Sequence, residues 1–129
     1  MAQVITTNKG LQNVILFKSF RAGEAITKRR WVELDNVTHQ VDQIDSVTSV
    51  QIGVAQNDVA ANEIVNVAMA VAGSSIACEA SKAIAVGAPV YLSANGRVSD
   101  SSSSSARRVG TALDAAGAAG DLIQVLVGL

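Results

Sequence analysis

The chain contains itself twice, and this repeat limits its possible folds more than any other feature. Displacing the sequence by about 58 positions, with a one-residue slip midway, lays residues 26–69 on residues 84–127. Ile26 falls on Ile84, Val32 on Val90 and Leu34 on Leu92. Val41 then meets Val98, Gly53 meets Gly110 and Ala55 meets Ala112. Finally Glu63-Ile64-Val65-Asn66-Val67 lies over Asp121-Leu122-Ile123-Gln124-Val125, repeating acid, two apolar residues, amide and valine in phase.

Each copy reads as the same series of short strands. Val32 and Leu34 flank Glu33 with a period of two, and Val90 and Leu92 flank Tyr91 in the same way. Turns follow at Asp35-Asn36 and at Ala94-Asn95-Gly96, where Asn-Gly favours a tight hairpin. Return strands are expected around 40–44 and 97–99. Third strands are expected at Ile52-Gly53-Val54-Ala55 and Val109-Gly110-Thr111-Ala112, each glycine marking a bulge or a close backbone approach. Small-residue turns then lead into the strongest strands, 64–71 and 123–129. Between the copies, Ala72-Gly73-Ser74-Ser75 reads as the bend of a hairpin that returns through 76–80, and helical turns are expected only at 14–21 and 114–119.

This pattern predicts an all-β fold, a small β-barrel or sandwich built from two related halves around one core, with an extended N-terminal arm. Residues 1–21 form the arm and first strand, and residues 22–129 form a single duplicated β domain. The serine run 101–105 and the polar stretch 43–49 fall at equivalent places, which predicts exposed loops at one end.

At 129 residues the chain has room for one modest core, and its aromatic content is 3%. Phe17, Phe20, Trp31 and Tyr91 are its large rings, so Val, Ile, Leu and Ala must supply most of the packing. So thin a core favours oligomerisation or docking onto a larger surface. A formal net charge of −1 excludes the strongly basic balance of a nucleic-acid binder. The basic clusters, Lys28-Arg29-Arg30 and Arg107-Arg108, read as solvated loops or as contacts for an acidic protein surface. The lone Cys78 reads as a small buried residue. No stretch approaches the length of a membrane span, so a soluble protein without a membrane partner is expected.

Enzymatic chemistry lacks its usual signatures. His39 is the single histidine, which removes His-pair metal sites. No Gly-x-Ser-x-Gly elbow supports a triad around His39 and Asp35, and no P-loop is present. Asp35, Asp42, Asp45 and Asp58 read as solvated loop acids without a calcium-loop spacing, although two carboxylates meeting in space stays open. A non-enzyme with no cofactor and no metal is expected.

Two stretches carry a family resemblance. One is Ala22-Gly23-Glu24-Ala25-Ile26-Thr27, then Trp31-Val32-Glu33-Leu34 and Ile52-Gly53-Val54-Ala55. The other runs from Ile84-Ala85-Val86-Gly87-Ala88-Pro89-Val90-Tyr91-Leu92 through Ala94–Val98 and Arg108–Ala112 to Ala116–Asp121. Together they resemble the DUF2190 family of small capsid cement proteins of tailed phages, over residues 22–129. The resemblance implies a β-rich subunit that binds the major capsid protein on the outer capsid surface of the virion, after synthesis in the host cytoplasm. There it would hold the head against internal DNA pressure by adding interface between capsomers, as a homotrimer, with a dimer as the alternative state. It brings no catalytic residues. The competing reading is a virion-surface module that binds a host glycan or another protein.

The candidate capsid or subunit interface comprises Val4, Val14, Ile15, Leu16, Phe17, Arg29, Arg30 and Trp31. Residues 4–16 are expected to order only against neighbours, because a polar start leads into an apolar run without a counterpart in the repeat. Trp31 falls opposite Pro89, so it is either an interface anchor or a plug for one end of the barrel.

Overall fold

The period-two stretches of both copies form strands, and they pair in the same order twice. The computed structural model describes residues 12–102 and 106–128. Its first half holds β1 (Phe17–Ala22), β2 (Trp31–Leu34), β3 (Gln40–Gln43), β4 (Gln51–Ala55) and β5 (Ile64–Met69). Its second half holds β6 (Ser75–Glu79), β7 (Pro89–Leu92), β8 (Val98–Ser99), β9 (Arg108–Ala112) and β10 (Leu122–Val127). Among the described residues there is no α-helix. The helical turns expected at 14–21 and 114–119 do not form, because 17–22 is needed as a strand and 114–119 is a turn between β9 and β10.

The first five strands close a barrel, β1-β3-β2-β4-β5, in which β1 pairs antiparallel with β5 and parallel with β3. The second five run β6-β10-β9-β7-β8, the same order strand for strand. Registers match in detail. Val32 faces Gly53 as Val90 faces Gly110, and both ladders slip after that pair, leaving Glu33 against Gln51 and Tyr91 against Arg108. A Cβ on Gly53 would press into the carbonyl oxygen of Ala68, and one on Gly110 into that of Leu126, so each slip needs a glycine for backbone contact.

The repeat begins earlier than residue 26. Phe17 pairs with Ala68 as Ser75 pairs with Leu126, so β1 and β6 are counterparts, and the apolar run ending at Phe17 leads into a strand of the repeat. Nor does β6 return along β5 as a hairpin. Both edges of β5 are taken by β1 and β4, so β6 crosses over and pairs with β10.

The halves differ at one seam. In the barrel, Arg21 and Ala22 of β1 lie against Gln40 and Val41 of β3. In the second half β6 and β8 meet at a single parallel bridge, Ala80 to Val98, and the rest of the gap is filled from the first half. Alternation supplies the filler. Val32, Ala55, Val65 and Val67 point into the barrel, where they pack with Phe20, Ala22, Ile26 and Val41. Trp31, Val54 and Ala68, in alternate positions, point outward and share one cluster with Ile76, Cys78, Val90, Leu92, Ile123 and Val125. The structure thus has two core clusters where the sequence suggests one. Trp31 is fully buried, the largest side chain that is. It lies between the halves rather than at an end of the barrel, and in this chain it offers no surface to a partner.

The copies also share left-handed turns with different residues. Arg29, His39 and Asn62 have φ of 66°, 59° and 72°, and their counterparts Gly87, Gly96 and Gly120 have 82°, 73° and 93°. The backbone demands positive φ in both copies, glycine meets it without strain, and the first copy accepts a penalty to place side chains there.

Replacing Trp31 with alanine should cost about 3–5 kcal/mol of stability whether or not any partner is present. Gly53→Ala and Gly110→Ala should each cost about 1–3 kcal/mol by overpacking. Urea titrations of the purified variants measure both, and parent-like midpoints would show that the seam and the bulges do not hold the fold.

Candidate functional site

The interface residues expected from sequence separate into three groups. Val4 lies outside the described residues. Val14 packs against the larger core, whereas Ile15, Leu16 and Phe17 stand 60%, 50% and 48% exposed as a contiguous apolar lip. Within the chain, residues 12–16 already have hydrogen-bond partners. Asn13 and Ser75 exchange backbone hydrogen bonds at 2.8 and 3.1 Å, and Ile15 N–H donates to Ser74 Oγ at 3.2 Å. Met69 N–H donates to the Leu16 carbonyl at 2.9 Å, and Ala77 N–H to Gln12 Oε1 at 3.1 Å. The segment covers the edge of β6, whose N–H groups need partners.

Arg29 and Arg30 face inward and join the halves. Arg29 Nη1 donates to Gln12 Oε1 at 3.2 Å and to Gln56 Oε1 at 2.9 Å, while its carbonyl accepts Glu79 N–H at 3.0 Å. Arg30 grips Glu79 with two bonds, Nε to Oε1 at 3.2 Å and Nη2 to Oε2 at 3.3 Å, and donates through Nη1 to the Asn95 carbonyl at 2.9 Å. Bidentate geometry suits a guanidinium at a closed seam, so Arg29 and Arg30 are engaged within the chain, while Lys28 of the same cluster is exposed. Beneath it, burial pushes the Cys78 thiol up to about 12, against smaller opposing effects from the Trp31 indole and Arg29. Cys78 is therefore an inert packing residue.

The acids do not all lie scattered in loops. Asp42 is on β3, and Asp35, just past β2, turns back toward it. Burial pushes Asp42 up to about 6, reinforced by its hydrogen bond to Asp35 and by the charges of Asp35, Glu24 and Glu33. Asp35 is held low, first by the Gln40 side-chain amide, which donates to its Oδ2 at 2.8 Å. A Cβ at Gly23 would collide with both carboxyls, so the glycine makes room for the pair. Antiparallel pairing of β2 with β3 brings the two acids together, which spacing alone did not reveal.

Two surface regions remain. The polar loop 43–49 meets the segment just after the serine run, where Arg107 N–H donates to the Val47 carbonyl at 2.9 Å and Nε to that of Thr48 at 3.2 Å. Residues 103–105 of the serine run lie outside the described residues. On the barrel, Ser19, Phe20, Arg21, Thr38, His39 and Ile64 line an open recess of about 340 Å³. Arg21 and His39 were not singled out as binding residues from sequence; the available signal was their position opposite Glu79 and Gly96 of the other copy. Among the described residues, no group of three or more His, Cys, Asp or Glu could hold a metal, and no helix is long and apolar enough to cross a membrane.

Comparison with known proteins is specific. The model of a family described as phage cement protein matches residues 12–129. Among solved structures, the fold is similar to that of the head fiber gp8.5 N base in bacteriophage phi29. That similarity has a TM-score of 0.70 at 19% identity, covering 88% of this chain and 93% of the other. No curated protein matches the chain.

Asp42 yields a pH prediction. A carboxyl whose folded pKa is raised holds its proton more tightly in the fold than in the unfolded chain. The penalty for ionising it is therefore absent below about pH 4, grows toward pH 6 and is complete above it. Asp42→Asn should be more stable than the parent at pH 7–8, with the difference vanishing as pH falls through about 6 toward 4. Denaturation midpoints across that range test it; a difference independent of pH would show that Asp42 ionises normally.

Proposed function

This chain belongs to the phage cement protein family, and on that premise we propose how it attaches and what it does for the shell. The protein is a capsid-associated decoration subunit of the virion, on the outer capsid surface. The carrying observation is the match to the cement family over residues 12–129, which includes every described residue. A structural role needs surface and rigidity in place of a reaction centre, and the fold supplies both.

The finer reading is a DUF2190-type cement protein that binds the major capsid protein as a trimer between capsomers and resists their separation under DNA pressure. The lip Ile15-Leu16-Phe17 supports it. Three consecutive apolar side chains, each about half exposed, sit on a segment already fixed to β6, so docking buries them without ordering new backbone. Several copies of such a patch on one subunit assembly turn weak contacts into tight attachment. Arg29, Arg30 and Trp31 are withdrawn from the interface, since they are used within the chain. The ladders also support reading the chain as one duplicated domain whose repeat includes β1 and β6.

Purified protein mixed with capsids that lack it should co-sediment with them and raise the temperature at which they rupture. Changing Ile15, Leu16 and Phe17 together to serine should weaken capsid binding at least about tenfold while leaving the melt of the isolated chain near that of the parent. Capsids that bind none of the parent protein would refute decoration, and full binding by the serine variant would exclude the lip.

A further inference from the structure

The surface on which the second half receives the first has a counterpart on the first half, and that counterpart is empty. In the second half the receiving residues are Ala77, Glu79, Asn95 and Gly96. Ala77 N–H bonds Gln12, Glu79 takes the Arg29 carbonyl and the Arg30 guanidinium, and the Asn95 carbonyl accepts from Arg30. Gly96 lies so close that a Cβ there would stand 2.8 Å from the Trp31 carbonyl oxygen. The ladders fix the matching positions. Ser19 pairs with Asn66 as Ala77 pairs with Gln124, and Arg21 with Ile64 as Glu79 with Leu122. Counting back from the Ala22–Val41 and Ala80–Val98 pairs, Thr38 and His39 match Asn95 and Gly96.

These four counterparts, Ser19, Arg21, Thr38 and His39, line the open recess on the barrel. The backbone seam beneath them is already shut by Arg21 N–H donating to the His39 carbonyl at 3.0 Å, so a strand cannot enter and a partner meets side chains only. All four residues are exposed, and among the described residues their side chains have no hydrogen-bond or ion-pair partner. Ile64, 62% exposed, gives the recess an apolar wall. His39 holds a left-handed conformation that its counterpart meets with glycine, so an imidazole is kept there at a conformational penalty that the turn itself does not require.

We infer that this recess is a docking site for an acidic loop of the shell protein, with Arg21 as its central contact. This rests on the decoration reading above. The charge logic is an inversion: where Glu79 receives an arginine, the matching place presents Arg21 and calls for a carboxylate. The neighbouring acid Glu63 is engaged, its Oε1 accepting Ala60 N–H at 2.7 Å. A second copy of this chain does not supply the occupant by the same contact. Its residues matching Arg29-Arg30-Trp31 are Gly87-Ala88-Pro89, which carry no charge and no large side chain.

The experiment measures binding of the full chain to capsids lacking it, over a range of salt, alongside melts and solution masses of each variant. Arg21→Glu should bind about tenfold or more weakly with an unchanged melt. Arg21→Ala should also flatten the dependence of binding on salt. His39→Gly, which installs the counterpart residue, should melt at or above the parent temperature yet bind more weakly, a combination that general damage to the fold does not produce. If Arg21→Glu binds normally while the Ile15/Leu16/Phe17 serine variant does not, the recess is no contact and the decoration reading stands. If the parent itself fails to bind capsids, both readings fall. If Arg21→Glu alters the mass of the isolated protein, the recess joins copies of this chain, and the acidic shell loop is overturned.

Discussion

The fold depends on one tryptophan crossing from one half into the other. Five strands in the order β6-β10-β9-β7-β8 would close as the first barrel does, but their seam stays open apart from the Ala80–Val98 bridge. Trp31 occupies the opening, and the Arg30–Glu79 pair, the Arg29 carbonyl and the Arg29–Gln12–Gln56 bonds close over it. In a chain with 3% aromatic residues, a buried indole is a large share of the available apolar area. It joins the second-half core to the outer face of the barrel, so the two halves need not act as independent domains joined by a tether.

Duplication explains why such a small chain carries this much order. The same strand sequence, the same bulge and the same left-handed corners appear twice, so a single solution to the backbone problem serves both copies. The copies differ in what they attach to that backbone. The second places glycine at the left-handed corners and Glu79 at the seam, and it receives the first. The first places Arg29, His39 and Asn62 at those corners and Arg21 at the matching edge position. Differences of side chain on equal backbones separate the copy that receives a packing contact from the copy whose matching surface stays exposed.

A cement subunit works by contact, and the proposed contact surfaces share one strand. An apolar lip and a cationic recess belong to β1 and its flanks, a strand held on both sides by β3 and β5. Rigid support matters because every residue that must order on docking subtracts from the binding free energy. The carboxyl pair Asp35–Asp42 lies where β2 pairs with β3, and burial there raises Asp42.

Much of the architecture was legible in the order of residues, because strand alternation and turn chemistry are local. Val32-Glu33-Leu34, Asn95-Gly96 and the paired Gly53 and Gly110 announce strands, a turn and bulges within a few residues, and the in-phase match of Glu63–Val67 with Asp121–Val125 announces the duplication. What stayed hidden was every property that depends on which edge meets which. The true start of the repeat at β1 was masked because Phe17 to Ala22 and Ser75 to Ala80 share a role and little composition. Trp31 could anchor or plug until the seam between β6 and β8 was seen to be open. Arg29 and Arg30 looked free until Gln12, Gln56 and Glu79 came within reach. Local sequence determines how each segment bends. The tertiary structure alone decides which side chains are consumed in joining the halves and which are left exposed, because that follows from contacts between residues 17 to 65 positions apart.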